Sequence, residues 1–279
     1  MGSLTRCQPR LGTYVEVSVS GDVCESELIN ASNSAFLEIS RIHDLMSFHE
    51  QTSELTRVNK HAAVAPVEVS RATKFVIEQA LIISDKTEGV FDISIAPELI
   101  AKKALPNHNF GALATGDWRD IEIIGNKVRF KKPLLIDLGG IAKGYAVDKA
   151  VNAVDESIDI IVNAGGDLRM RPWTGNQVEV RRPEAPNSKV TRVPMKNCAL
   201  ATSASYYSEF GTTIVSKHCS ELVTNEGESH NSVSVFASNC LIADALTKVA
   251  YLKPDMIKKS IFPNVHFMTL NSNNEIDWY

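Results

Sequence analysis

Residues 134–149 read LLIDLGGIAKGYAVDK. An apolar run leads into Asp137, the pair Gly139-Gly140, Lys143 and Gly144, and then into small residues at helical spacing. That order predicts a short buried strand (LLID), a glycine turn and a helix over IAKGYAVDKAVNAV. At such a helix start the free N–H groups and the helix dipole favour an anion, and Lys143 adds a positive charge. Two readings stay open on spacing alone. The glycines allow positive φ or close packing in an ordinary turn, or they let the backbone lie against a phosphate. Neither GxxxxGK[ST] nor GxGxxG is present, so both common nucleotide fingerprints fail.

Outward from this stretch the chain mixes hairpins with helices. TYVEVSVS alternates from Thr13 to Ser20 and reads as a strand. Leu28, Ala31, Ala35, Ile39, Ile42, Leu45 and Met46 recur at three- and four-residue steps and predict a long amphipathic helix. A second helix starts at an N-cap Ser70 and runs to Gly89. The polar segment between them, MSFHEQTSELTRVNKH, reads as a loop or short helical turn. IEIIGNKVRF predicts a hairpin around Gly125-Asn126. IDIIVN, QVEVRR, CALAT, SVSVFA and VHFMTL are strand-like, and LIADALTKVAYL is a helix. Runs of strands beside separate helices indicate an α+β fold rather than regular βαβ alternation. We expect a single compact domain over residues 1–279, with mixed or antiparallel sheets and packed helices; an internal duplication of helix-plus-sheet units stays open.

Composition limits the function classes. The 279 residues carry a net charge of −4, which argues against a broad nucleic-acid surface. No apolar run reaches membrane-span length. The five cysteines are scattered without CxxC and suggest neither a disulfide framework nor a zinc site. The start, MGSLTRCQPRLGTYVEV, lacks the charged and apolar regions of a secretory leader. The chain as it stands therefore reads as cytoplasmic, and as exported or periplasmic if a leader has been removed.

Three further stretches can carry chemistry. AGGDL puts Gly165-Gly166 and Asp167 at another strand end, as a turn or as a second backbone approach to the same ligand. In LIADALTKVAYL, Asp244 sits among apolar neighbours with Thr247 and Lys248 on its face. It is either an i,i+4 ion pair with Lys248 on a solvated surface or an oxygen ligand for a hard metal such as Mg²⁺. GVFDISIAPEL sets Phe91 beside Asp92, suited to a planar heterocycle or to an ordinary turn. The histidines lack HxxxH and HExxH, which excludes the usual His-based metal sites, and GxSxG is missing.

Taken in order, these stretches resemble the ApbE family, the FAD:protein FMN transferases. RLGTYVEV is similar to the family's opening strand, and LMSFHEQTSELTRVN to its MS-aromatic and SEL segment. TEGVFDISIAPEL resembles TdGaFDpTvgPL, LIDLGGIAKGYAVDKA matches DLGGIAKGYAVD, and VNAGGDLR and LIADALTK resemble the later GGD and AD motifs. The resemblance implies Mg²⁺-dependent transfer of FMN from FAD to a threonine hydroxyl of an acceptor protein, with release of AMP. The acceptor would be an electron-transport subunit or another flavoprotein. Carried over by position, Asp137 and Lys143 would contact FAD, and Gly165, Gly166 and Asp167 would line the same cleft. Met46, Phe48, His49, Phe91 and Asp92 would lie by its rings. Ala142, through its carbonyl, and Asp244 would hold the metal.

The chain departs from the family pattern twice. Many relatives place a threonine ligand four residues after the metal aspartate. Here that position is Lys248, leaving Thr247 as the ligand after a small helix shift, or the lysine in part of the metal's place. The family's HiiDPrTG stretch is replaced by HCSELVTNEG, where His218 and Glu221 stand for its His and Asp, with His218 as the candidate base or metal-site helper. These departures keep two alternatives in view: an FAD-binding protein of the same fold without transferase activity, and an FAD pyrophosphatase.

Overall fold

The computed structural model describes residues 2–110, 115–181, 190–204, 230–258, 262–271, 273 and 275–279. In chain order the elements begin with strands β1 (Gly2–Arg10) and β2 (Thr13–Gly21), then helices α1 (Glu25–Met46) and α2 (Glu54–His61). There follow β3 (Val67–Glu68), α3 (Arg71–Lys86), a 3-10 turn at Ile93–Ile95, α4 (Ala96–Ala101), and the strands β4 (Ile121–Ile124) and β5 (Lys127–Phe130). Next come α5 (Ala142–Asn152), β6 (Asp159–Ala164), β7 (Asp167–Arg171), β8 (Gln177–Arg181), β9 (Val190–Pro194) and β10 (Ala199–Ala204). The last described elements are β11 (His230–Ala237), α6 (Cys240–Leu252), α7 (Pro254–Lys258), β12 (His266–Asn271) and β13 (Ile276–Trp278). Helices and antiparallel sheets occupy separate stretches of chain, as the α+β reading expects. No helix among the described residues is long and apolar enough to cross a membrane.

The residues group into two compact units. One joins the N-terminal segment through Arg41 to what is described from Lys143 onward; the other spans Ile42–Ala142. Both transitions fall inside helices, in α1 and at the first residue of α5. The amphipathic repeat of α1 runs straight through the first point, and the second lies beside Gly139, Gly140 and Gly144, which read in sequence as a turn or a ligand loop.

The first unit is built on one eight-stranded sheet in the order β1-β2-β6-β7-β10-β11-β12-β13, and every neighbouring pair in it is antiparallel. Val15, Val17 and Val19 of β2 and Ile160 and Val162 of β6 point to one face. There they pack with Ala35 and Ile39 of α1 and Val147, Ala150 and Val151 of α5. This is the alternation that TYVEVSVS and IDIIVN predict, since side chains two apart share a face. Helix α6 lies on β10 and β11. Val178, Val180 and Val193 of the β8–β9 hairpin close a second core with Leu200, Phe236 and Met268. Strand β1 is absent from the sequence reading. It is an edge strand with polar residues on both faces, held by its ladder to β2. Leu11 and Gly12 supply the two positive φ values, 54° and 70°, of a tight hairpin turn.

In the second unit β3, β5 and β4 form a small antiparallel sheet, with the Gly125-Asn126 hairpin where it is expected. Two corrections to the sequence reading belong here. The polar segment after Met46 contains a true helix, α2, started by Ser53, whose side chain accepts from the Thr56 N–H. Glu54 ties that helix to α3 by accepting from the Ser70 N–H (2.9 Å), the Ser70 hydroxyl (2.9 Å) and the Thr73 hydroxyl (2.5 Å). Its period was hidden because two of its four buried residues, Thr56 and Asn59, are polar. LLID, in turn, is buried but is not a strand. Ile136 exchanges two hydrogen bonds with the amide of Asn59, 2.8 Å from its N–H to Oδ1 and 2.9 Å from Nδ2 to its carbonyl. The Asp137 N–H donates to the Ile93 carbonyl at 2.8 Å. A side-chain amide thus satisfies the buried backbone where a neighbouring strand was expected.

Candidate active site

The site residues of the first unit gather around the start of α5. Lys143 forms an ion pair with Asp167, the first residue of β7. Lys248 forms another with Asp244, one turn earlier in α6. The carboxylates are buried, Asp244 completely and Asp167 to 3% side-chain exposure, whereas Lys143 and Lys248 keep 28% and 25%. The i,i+4 pair weighed from the sequence is therefore real, but it sits in the interior rather than on a solvated face.

Gly144 explains how the two helices come this close. A Cβ there would lie 2.2 Å from the Cys240 carbonyl oxygen and 2.9 Å from the Asp244 Cβ, so only glycine fits. The Gly144 N–H donates to Asp244 Oδ2 at 3.0 Å. The arrangement is reciprocal. Asp148 of α5 accepts from the N–H groups of Cys240 (2.8 Å) and Leu241 (2.9 Å) at the start of α6. Asn239 accepts from Ile242 at 2.8 Å to complete that cap. Arg169 balances Asp148 at 2.8 Å. The sequence reading missed Asp148 as a capping group, because its partners lie more than ninety residues away.

Charge and burial compete within this cluster. Burial raises Asp167, and the neighbouring Asp244 adds to it; Lys143 and Lys248 only partly offset this, leaving its carboxyl near a pKa of about 6. Burial also works against the charged forms of Lys143 and Asp244. At Lys143 the carboxylates of Asp167 and Asp244 outweigh it and hold the ammonium above its ordinary range. At Asp244 the lysines, Lys248 first, outweigh it and hold the carboxyl low. Burial raises Asp148, against Arg169 and the helix N–H groups.

The two diglycines that look alike in sequence differ in conformation. Gly165 and Gly166 take φ of 63° and 104° in the β6–β7 turn, and a Cβ on Gly165 would meet the Thr13 hydroxyl at 2.5 Å. Turn geometry requires both, and the Thr13 contact excludes a side chain at Gly165 a second time. Gly139 and Gly140 have no positive φ among the backbone exceptions. A Cβ on Gly139 would come within 2.9 Å of Asp137 Oδ2, which accepts from the Gly139 N–H at 3.0 Å, so any side chain there would displace that carboxylate.

The remaining expected residues belong to the second unit. Phe48 is buried in an aromatic cluster, stacked on His108 at 5.7 Å and edge-on to Phe110 at 5.7 Å, and its carbonyl lies 2.7 Å from His108 Nε2. Met46 is buried at the end of α1, and His49 is exposed. Phe91 and Asp92 are both buried. Asp92 Oδ1 accepts from the Ser94 N–H (2.8 Å) and hydroxyl (2.7 Å), capping the 3-10 turn. Ala142 opens α5, its N–H bonded to the Leu138 carbonyl at 2.8 Å. His218 and Glu221 lie outside the described residues.

Two of the three expected metal donors, Asp244 and Thr247, do not fit a divalent cation as they are arranged. Asp244 Oδ1 faces the Lys248 ammonium, and Oδ2 accepts from Gly144. The Thr247 hydroxyl donates to the Asp244 carbonyl at 2.7 Å and accepts from Ser203 at 2.8 Å. Both side chains are committed to protein partners, and an ammonium stands where the cation would bind.

Known proteins share this architecture. The chain aligns with FAD:protein FMN transferases of Vibrio cholerae, at 26% identity over 85% of this chain and 78% of that protein, and of Klebsiella pneumoniae, at 28% identity over 84% and 74%. The crystal structure of the ApbE protein from Thermotoga maritima superposes with a TM-score of 0.79 at 23% identity, covering 99% of this chain and 96% of that one. Flavin transferase ApbE from Vibrio cholerae gives 0.77 at 20% identity, covering 100% and 96%. The ApbE family model matches residues 11–261, a span that takes in the glycine turns, both lysines and both buried carboxylates, and the chain belongs to the ApbE family.

Proposed function

We propose that this protein moves the FMN half of FAD onto a threonine hydroxyl of an acceptor protein, an electron-transport subunit or another flavoprotein, and releases AMP. The observation that carries this reading is the pairing of partly exposed lysines with buried carboxylates. Asp167 and Asp244 anchor Lys143 and Lys248, whose side chains stay 28% and 25% exposed, so the pair can meet an anion such as a diphosphate. The acceptor oxygen forms a new bond to the FMN phosphorus as the anhydride bond to AMP breaks, and the hydroxyl proton passes to a base that the family resemblance assigns to His218. There is little covalent work for the protein in such a transfer. Positioning and neutralisation of the developing charge lower the barrier, and preorganised cations supply both.

Intact-mass spectrometry of an acceptor flavoprotein incubated with this protein and FAD tests the proposal. The acceptor should gain the mass of one FMN unit, matched by one AMP. Tight FAD binding without any mass gain would show a flavin-binding protein instead. AMP and free FMN formed without an acceptor would show an FAD pyrophosphatase.

A further inference from the structure

We propose that the Lys248 ammonium replaces a divalent cation at Asp244, so that this corner of the protein meets its ligand with two protein-borne ammonium groups and recruits no metal there. The inference begins with helix geometry. Residues four apart share one face, so a lysine at position 248 reaches back over Asp244. Its Nζ contacts Oδ1 and also donates to the Asp244 carbonyl at 2.8 Å. One ammonium therefore engages two oxygens of the same residue, as a small hard cation would. The second carboxylate oxygen is taken by the Gly144 N–H, and the Thr247 hydroxyl is shared between the Asp244 carbonyl and Ser203.

Charge counting agrees with the geometry. Asp167 and Asp244 contribute two negative charges, and Lys143 and Lys248 two positive ones. The buried cluster is neutral without a metal, the condition under which interior charges are tolerated. Before any ligand binds, a divalent ion added to it would leave two uncompensated positive charges in a medium that screens poorly. With threonine in place of Lys248 the same cluster would carry one net negative charge, and Asp244 would have an oxygen free for a cation. The ligand class, a diphosphate, rests on the transferase reading; the exclusion of metal does not.

Titration with Mn²⁺, followed by the loss of its free-ion EPR signal, tests the exchange directly. Mn²⁺ is suited to carboxylate and hydroxyl oxygen sites. Wild-type protein should leave Mn²⁺ free, whereas Lys248→Thr should bind one ion at least about tenfold more tightly, and the double variant Lys248→Thr with Asp244→Asn should lose it again. Flavin fluorescence should show that wild-type FAD affinity is unchanged by EDTA. One tight Mn²⁺ on the wild-type protein that is lost in Asp244→Asn would overturn the proposal, as would equal Mn²⁺ affinities of the wild type and Lys248→Thr. If Lys248→Thr does not fold, the wild-type titration and the EDTA comparison decide. A protein that shows the expected Mn²⁺ pattern but binds no FAD would refute the diphosphate assignment and leave the lysine exchange standing.

Discussion

Asp148 and Asp244 occupy matching places. Each lies four residues after the helix residue whose N–H the opposite carboxylate accepts, so α5 and α6 cap one another. Their surroundings then diverge. Asp148 takes two N–H groups and an arginine, and these satisfy both of its oxygens at one helix start. Asp244 takes one N–H and a lysine, with a second lysine, Lys143, in electrostatic reach. The first carboxylate is wholly spent on holding two helices together. The second holds them less firmly and presents cations. The same helix-end geometry serves packing or chemistry according to the positive group beside it.

The point of contact that both carboxylates depend on is Gly144, and it is the place to break the comparison. Gly144→Ala would drive a methyl group into the Cys240 backbone, which cannot rotate away. A helix interior ordinarily favours alanine over glycine by about 1 kcal/mol; here the expected outcome is a loss of more than about 4 kcal/mol or failure to fold. Thermal unfolding would reveal it, and an unchanged midpoint would refute the close-approach role.

Paired substitutions sharpen the contrast. Asp148→Ala leaves two helix N–H groups and Arg169 without their partner and should cost about 3–5 kcal/mol in urea unfolding. Asp244→Ala strands one helix N–H rather than two and leaves Lys143 and Lys248, both partly exposed, to turn to water, so it should cost less, about 1–3 kcal/mol, yet abolish FMN transfer in the mass assay. Equal stability losses, or full transfer by Asp244→Ala, would contradict the division of labour.

The smallest effect is in pH dependence. Asp167 has a folded-state pKa raised to about 6, so the folded protein holds a proton there that the unfolded chain releases near the ordinary carboxylate value. Its contribution to stability is fully present below that ordinary value and is lost as pH rises to about 6. Urea midpoints of wild type relative to Asp167→Asn should therefore fall across this window. A constant difference between pH 4 and pH 6 would show that Asp167 does not titrate there.

Much of this molecule was legible in its letters. Apolar spacing located α1, α3, α5 and α6, because burial of one helical face imposes a period on the chain itself. Ser70 and the Gly125-Asn126 hairpin were readable because their hydrogen bonds close within a few residues. The ordered motifs from RLGTYVEV to LIADALTK carried the family, and the Asp244–Lys248 pair was visible as a spacing. The polar helix α2 and the edge strand β1 were not visible, since neither buries enough apolar surface to impose a pattern.

What tertiary structure alone decided is the meaning of particular residues. The start of α5 reads either as an ordinary turn or as a phosphate cradle, and in the fold the anion at the Gly144 N–H is the protein's own Asp244. LLID reads as a strand, but Asn59 takes the neighbouring strand's place. Gly139-Gly140 and Gly165-Gly166 read as the same device, but positive φ is confined to the second pair, while Gly139 lies against the Asp137 carboxylate. In each case the deciding partner is distant in sequence or is a contact that no spacing encodes. A sequence records the interactions that close within a turn of chain, whereas the fold decides which buried groups share a site and hence what charge is left to offer a ligand.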